Sequence, residues 1–528
     1  MKLMKKRGIS ILAIASFFLV GCNRTTSSDV SANSGDATGN VVVTWWNNYQ
    51  VPDTTAADYD ETKSRSNSTY REYWYAKDVI AAFEEANPGI KIETTYKGSY
   101  SDIATAVKSA ISAGNQPTIV SGYQDNVYTY NSMKATYDMS AVGAELEADT
   151  DFNKNYLSVE KGVYGGKYLS LPYSKSAEML VVNQTVFDQV GEGASGTSTG
   201  STAKKDYIAP VAVASKVKYS VPENWTELIA LARQMKTDYP TLFANQKDSD
   251  GYFNAVPFVW DSAENMFISL MENSGIGYTD SSKSGSQSFK WNCQEAKDLV
   301  IQLKKWNNEG LIATQNQLYI TNATKGYHQY SSSMMTFGTV FMCISSTAGS
   351  RYFGIDSGYT ASMHHVPNWA ENSKAANAKV ISQGPSLTFF TNKDSKVNEA
   401  AGKFYKFLTN AENSAKLAVN TSYFPLRTSS YNSTSVTSLT AKADTAVTVT
   451  SSKSDKNDYY TGNALKLNST YTSNSNYFMS DVYQYSAASR TAVGNLLNTV
   501  FNTVATTDDA ITSLVDTAFT TAVSSAVK

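Results

Sequence analysis

The chain has 528 residues, 41% of them apolar, 12% aromatic and 17% charged, with 45 basic side chains against 47 acidic ones. That balance excludes a nucleic-acid binder, whose affinity rests on a concentrated basic surface. The 34 Tyr and 8 Trp exclude a disordered or collagen-like chain, and three Cys exclude a disulfide framework. At roughly 100–200 residues per domain, the length allows two to four domains.

The first segment is an address. Lys2, Lys5, Lys6 and Arg7 precede an apolar run over 8–20, which is shorter than the ~20 residues of a spanning helix. The run ends in Leu19-Val20-Gly21-Cys22, which resembles a bacterial lipobox, so Cys22 is the expected lipidation site. Signal peptide 1–21 and a polar tether over 22–40 follow from this, and the mature chain keeps 41 basic against 47 acidic residues. A body held by its lipid at the extracytoplasmic face of the cell membrane is expected. The remaining Cys293 and Cys343 can pair, or Cys343 can stay a buried thiol within the apolar run 340–344.

Beyond the tether, 41–46 is a β-branched and aromatic strand. Ala76, Val79, Ile80 and Phe83 predict a helix stopped by Asn87-Pro88-Gly89, and 90–96 alternates as a strand. Ile103, Val107 and Ile111 mark a second helix closed by Gly114, before a strand at 118–121. This alternation predicts an α/β fold with a mostly parallel sheet. Strands are predicted at 168–172, 178–182 and 340–344. Helices are predicted at 225–235, around Ala296 to Trp306, around Ala400 to Leu408, and at 413–419, 486–500 and 508–526. Two segments interrupt the pattern: 191–220 reads as an inserted loop, and 433–456 as a loop or an exposed hairpin.

Several motif matches fail on context. G-x-G-x-x-G at 191–196 and G-x-S-x-G at 196–200 lie in a low-complexity stretch without the flanking strand and helix that their chemistry needs. Asp248-Ser-Asp250-Gly251 fits a turn better than a calcium loop, because Pro257 stands where the bidentate Glu belongs. The only histidines are His328, His364 and His365, and adjacent residues point to opposite faces of a strand. No metal site and no cofactor are expected. No carboxylate pair is singled out, so a secreted glycoside hydrolase remains an alternative without positive support. A purely structural adhesin is a further alternative.

Seven short motifs then appear in order. They are Phe83-Glu-Glu-Ala-Asn-Pro-Gly-Ile-Lys-Ile, Ala113-Gly-Asn-Gln-Pro117, Tyr164-Gly-Gly-Lys-Tyr-Leu-Ser-Leu-Pro172 before Ser-Lys-Ser, Asn224-Trp-Thr-Glu-Leu, Gln383-Gly-Pro-Ser-Leu, the helix ending Phe407-Leu-Thr, and Ser422-Tyr-Phe-Pro-Leu-Arg427. Together they resemble the carbohydrate-type extracellular solute-binding proteins of ATP-binding-cassette importers. Thr95-Tyr-Lys-Gly-Ser-Tyr100 is most similar to the glycerol 3-phosphate-binding members. The resemblance implies a two-lobed, type II periplasmic-binding-protein-like fold. Lobe 1 is expected at 41–175 and 366–408, and lobe 2 at 176–365 and 409–528, with crossings near 174–178, 364–367 and 408. It also implies a monomer without enzymatic activity that delivers a small polar ligand to the transmembrane subunits of a permease.

By the same resemblance Tyr100, Ser176, Ser345, Ser346, Gly384, Tyr423 and Arg490 are ligand-binding candidates. Gln124 stands where those relatives have an acidic contact. Serine hydroxyls suit polyol oxygens and phosphate alike, a glycine lets its backbone N–H approach a ligand, and an arginine grips phosphate bidentately. A helix opening after Ser346 would add oriented N–H donors. The tyrosines equally suit half-buried packing with a satisfied hydroxyl. Trp46, Trp260 and Trp369 are candidates for stacking on a sugar, as are Trp45, Tyr49 and Trp74, and buried packing explains them as well. The leading ligand class is glycerol 3-phosphate or a glycerophosphodiester, with an oligosaccharide as the alternative. An Arg490 that lines the cleft favours phosphate; tryptophans that line it favour a sugar.

Overall fold

The computed structural model describes residues 39–527, apart from 158–159, 163, 189–193, 196–207, 210–217, 245–246, 248–250, 319–329 and 355–357. Cys22, the tether up to residue 38, most of 191–220 with its glycine motifs, Asp248, Asp250 and His328 lie outside the described residues. No described helix is long and apolar enough to cross a membrane.

Two sheets carry the fold. The first has the order Ile90–Tyr96, Val41–Asn47, Ile119–Gly122, Ser386–Phe389, Ser170–Pro172. The second runs Tyr477–Phe478, Val380–Gln383, Ser176–Asn183, Met342–Ser346, Phe258–Trp260, Ile312–Thr314, with Ala361–His364 also paired to Ser176–Asn183. Each is parallel through its β-α-β units and antiparallel where strands enter after a crossing.

Val41–Asn47 alternates as a half-buried strand should, with Val43, Trp45 and Asn47 inward. The Trp45 indole donates to Ser121 Oγ at 2.9 Å, and its ring meets Tyr49, Tyr173 and Phe404 edge-on. Helix Arg71–Ala86 buries Trp74, Tyr75, Val79 and Phe83, the apolar positions at helical spacing. Helix Tyr100–Ala113 opens on a capping box between Ser99 and Asp102 and closes at Gly114, whose φ of +72° is the left-handed conformation glycine adopts without strain.

The chain passes between sheets at 173–175 and again at 384–385. The second passage corrects the expected crossing near 364–367, because Val380–Gln383 still pairs with the second sheet through Ser382 to Ala177 and Gln383 to Ser176. The crossing expected near 408 also moves. Phe404 packs on Phe83, Tyr75 Oη donates to Asn413 O, and Ser429 donates to Asp151, so the chain stays with the first sheet's helices until at least Ser430. Segment 433–456 holds helix Thr434–Lys442, capped by Ser433 with Val436 and Leu439 buried, and the start of helix Lys453–Ser473, so neither a loop nor a hairpin describes it. Cys293 and Cys343 are both free, and Cys343 is buried in its strand.

The two passages are fastened together. Lys175 Nζ lies 3.2 Å from Glu160 Oε1 and donates to Ser386 Oγ at 2.8 Å and to Gly384 O at 3.5 Å. Ser170 Oγ donates to Glu160 Oε2 at 2.5 Å, and Ser386 Oγ donates to Glu160 Oε1. The side chains of Lys175 and Glu160 are 1% and 0% exposed, so this pair is closed to water.

Candidate functional site: a cleft between the two sheets

Three cavities meet along the gap between the sheets, of about 670, 350 and 270 Å³. Tyr123, just beyond strand Ile119–Gly122 of the first sheet, lines all three. Ser346, Gly349, Tyr352 and Gln383 line both the largest and the smallest. Loops after the carboxyl ends of strands supply much of the wall, as α/β sheets dictate.

Most of the expected positions lie here. Ser176, Ser346, Gly384 and Tyr423 line the 270 Å³ cavity, and Ser345 with Ser346 the largest. Ser346 Oγ donates to Ser176 Oγ at 3.3 Å, joining two strands of the second sheet at the rim. Ser346 caps the Ala348 N–H of the helix that opens after it, Thr347–Phe353, which is 3-10 in form. Tyr423 follows helix Ala411–Thr421, which ends on Ser422 at a φ of +66°. Tyr100 and Arg490 line the 350 Å³ arm.

Gly384 has a different reason from the expected one. A Cβ there would sit 2.0 Å from Ser174 O, so the missing side chain lets the two sheet-to-sheet passages touch, at a φ of +98°. Gln124 lines none of the three cavities, and its side-chain oxygen is buried without a partner; the next residue, Asp125, lines the arm instead.

The tryptophans are corrected as a group. Trp46 is already covered by Lys97, whose Nζ stands 4.1 Å from its ring centroid. Trp369 packs on Trp225 and Trp306 in an aromatic cluster. Trp260 is buried and its indole donates to Glu178 Oε1 at 2.8 Å. Trp45 is core, and Trp74 is buried with Arg65 and Lys77 against its ring. The aromatic surface of the cleft comes from Tyr100, Tyr123, Tyr330, Phe337, Tyr352 and Tyr423.

Sequence reasoning missed the carboxyl groups. Glu178 and Asp261 line the largest cavity, Glu72 the smallest, and Asp125 and Glu264 the arm. Among the described residues lining these cavities, Arg490 is the single cation. Its guanidinium is already engaged: Nη2 donates to Asn265 Oδ1, and Nε lies 3.9 Å from Asp125 Oδ2. Asp261 accepts from Ser331 N and Oγ at 2.8 and 2.9 Å, and Glu178 from Trp260 and from Ser269 Oγ at 3.1 Å. Burial pushes Glu178 and Glu72 up to about 7 and raises Asp261, with the neutral donors partly offsetting this at Glu178 and Asp261. The readable signal was Glu178 itself, a lone carboxyl in the apolar run Ala177-Glu-Met-Leu-Val-Val182.

A cleft walled by hydroxyls, amides, carboxyls and tyrosines from both sheets has the chemistry to hold a small polar molecule. The family model for bacterial extracellular solute-binding proteins matches residues 78–447, more than half of the chain. The chain belongs to the bacterial extracellular solute-binding proteins. This solute-binding protein is 23% identical over 356 residues to the sn-glycerol-3-phosphate-binding periplasmic protein UgpB of Salmonella typhimurium, covering 67% of this chain and 71% of that protein. The Escherichia coli (strain K12) UgpB matches with the same identity and coverage. Its fold is similar to UgpB from Mycobacterium tuberculosis in complex with glycerophosphocholine, at a TM-score of 0.60 and 13% identity over 91% of this chain and 98% of that one. It is likewise similar to the maltose/maltodextrin-binding domain MalE from Bdellovibrio bacteriovorus bound to maltotriose, at 0.58 and 16% over 91% and 99%. The two-lobed α/β architecture of these proteins is the architecture of this chain. As a family member it is an extracellular solute-binding protein.

Proposed function

We propose that this solute-binding protein, a monomer anchored to the membrane through an acylated Cys22, captures an oligosaccharide in the interlobe cleft and hands it to a permease. The carrying observation is the chemistry of the cleft wall: hydroxyls and fixed carboxyls beside tyrosine rings, with a single cation that already faces Asp125 and Asn265. Carboxyl oxygens accept from sugar hydroxyls, and aromatic faces cover the apolar faces of sugar rings. A phosphate dianion entering the same space would meet Glu178, Asp261, Glu72, Asp125 and Glu264 against one compensated guanidinium. Size points the same way, since about 670 Å³ is the scale of a ligand of several rings, whereas glycerol 3-phosphate is far smaller.

Arg490 favours a second reading, a glycerophosphodiester, in which the guanidinium would leave Asp125 for the phosphate. Membership of a family of binding proteins favours capture without catalysis. Calorimetry on the chain from residue 23 onward separates the ligand readings. Maltotriose is expected to release heat with a Kd of micromolar or tighter, about −8 kcal/mol. Binding of glycerophosphocholine or glycerol 3-phosphate alone, abolished by Arg490→Ala, overturns the oligosaccharide reading. For the anchor, Cys22→Ala is expected to move the protein from the membrane to the soluble fraction.

A further inference from the structure

Resting on the oligosaccharide reading, we infer that Glu178 is the specificity-determining residue of the cleft, accepting a ligand hydroxyl and repelling anions, and that Trp260 is its positioning residue. Glu178 stands two residues after Ser176 in strand Ser176–Asn183, so the two share a strand face where the chain enters the second sheet. It is 3% exposed yet lines the largest cavity. Three neutral donors hold the carboxyl: the Trp260 indole on Oε1, the Ser269 hydroxyl on Oε2, and the Asn265 side chain. A carboxylate has about four acceptor sites, so three donors leave capacity for one ligand hydroxyl.

The groups around it are arranged to hold it rather than neutralise it. Tyr471, from helix Lys453–Ser473, donates to the Glu178 backbone carbonyl at 3.0 Å. Asn265, on the helix that also bears Ser269, donates to Gln383 Oε1 at 2.7 Å and accepts from Arg490. Arg490 acts on Glu178 through space without pairing with it, facing Asp125 instead, and the second carboxyl, Asp261, lines the same cavity. An anion brought beside the ionised carboxylate meets like charge, which is how a site rejects a wrong ligand. Burial opposes ionisation here, so acceptor strength grows as the carboxyl loses its proton around pH 7.

The test is calorimetry of the purified full-length chain and of Glu178→Gln with maltotriose and with glycerol 3-phosphate at pH 8. The variant is expected to lose at least tenfold in maltotriose affinity and to gain affinity for glycerol 3-phosphate. Maltotriose affinity within threefold of the parent chain overturns the role of Glu178 alone. A parent chain that takes no maltotriose overturns the ligand class, a separate failure. In the parent chain, maltotriose affinity is expected to rise up to about tenfold between pH 6 and pH 8 as the carboxylate forms. Trp260→Phe keeps an aromatic side chain and removes the donor, so its midpoint is expected at higher pH. Ser269→Ala makes the same test on the other oxygen should Trp260→Phe fail to fold. A midpoint unchanged in the folded variant overturns the positioning role.

Discussion

Two buried carboxyl groups in this molecule are treated in opposite ways. At the passages between the sheets, Glu160 is matched by Lys175 at 3.2 Å and by two serine hydroxyls, and the charge is complete within the protein. In the cleft, Glu178 has the neutral donors Trp260, Ser269 and Asn265 and no ion-pair partner among the described residues. The first arrangement needs nothing from outside, as a structural fastening should. The second is left with acceptor capacity that only an incoming molecule uses.

The sharpest break of that contrast is Lys175→Met. Removing one partner of a buried pair leaves the other uncompensated and costs about 3–5 kcal/mol, read as a lower urea midpoint. Replacing Lys175 and Glu160 together by apolar residues is expected to cost much less. Next comes Gly384→Ala, whose Cβ would meet Ser174 O; overpacking and the positive φ together cost about 3 kcal/mol, measured by thermal unfolding.

A third test separates the two carboxyls by pH. The folded-state value of Glu178 lies above its unfolded value, so the folded state holds the proton more tightly, and its contribution to stability falls as pH rises from ~4.5 to about 7. That loss is at most about 3 kcal/mol, and Glu178→Gln removes it, flattening the stability profile over this window. Glu72, also raised to about 7, keeps its own share in that variant. The smallest effect lies outside both regions: Ser433→Ala removes the cap of helix Thr434–Lys442 and costs about 1 kcal/mol by urea unfolding.

The alternating first third was legible because its periodicities are local: Val43 and Trp45 at strand spacing, then Val79 and Phe83 at helical spacing. The passage at 384–385 was not legible, since it depends on Gln383 pairing with Ser176 more than 200 positions away, and pairing across such a span leaves no local pattern. Segment 433–456 misled because Ser and Thr favour turns and helix caps alike; Val436 and Leu439, three apart, were the only hint of the helix. In the cleft, Tyr100, Ser176, Ser345, Ser346, Gly384, Tyr423 and Arg490 were found by resemblance to relatives. Gln124, which the resemblance put at the relatives' acidic contact, lines none of the cavities, whereas the neighbouring Asp125 lines the arm. Tryptophans drew attention as sugar platforms, yet Trp225, Trp306 and Trp369 satisfy one another, and the tyrosines took that place.

A protein working outside the cytoplasm meets surroundings whose salinity it does not control. Mobile ions weaken attractions between charges they can approach, over a screening distance of about 8 Å at physiological strength, but reach enclosed pairs far less. Exposed pairs such as Arg233 with Glu309 answer to the medium. Lys175 and Glu160 are sealed from it, so the fastening between the two passages should keep the same strength in dilute water and in brine.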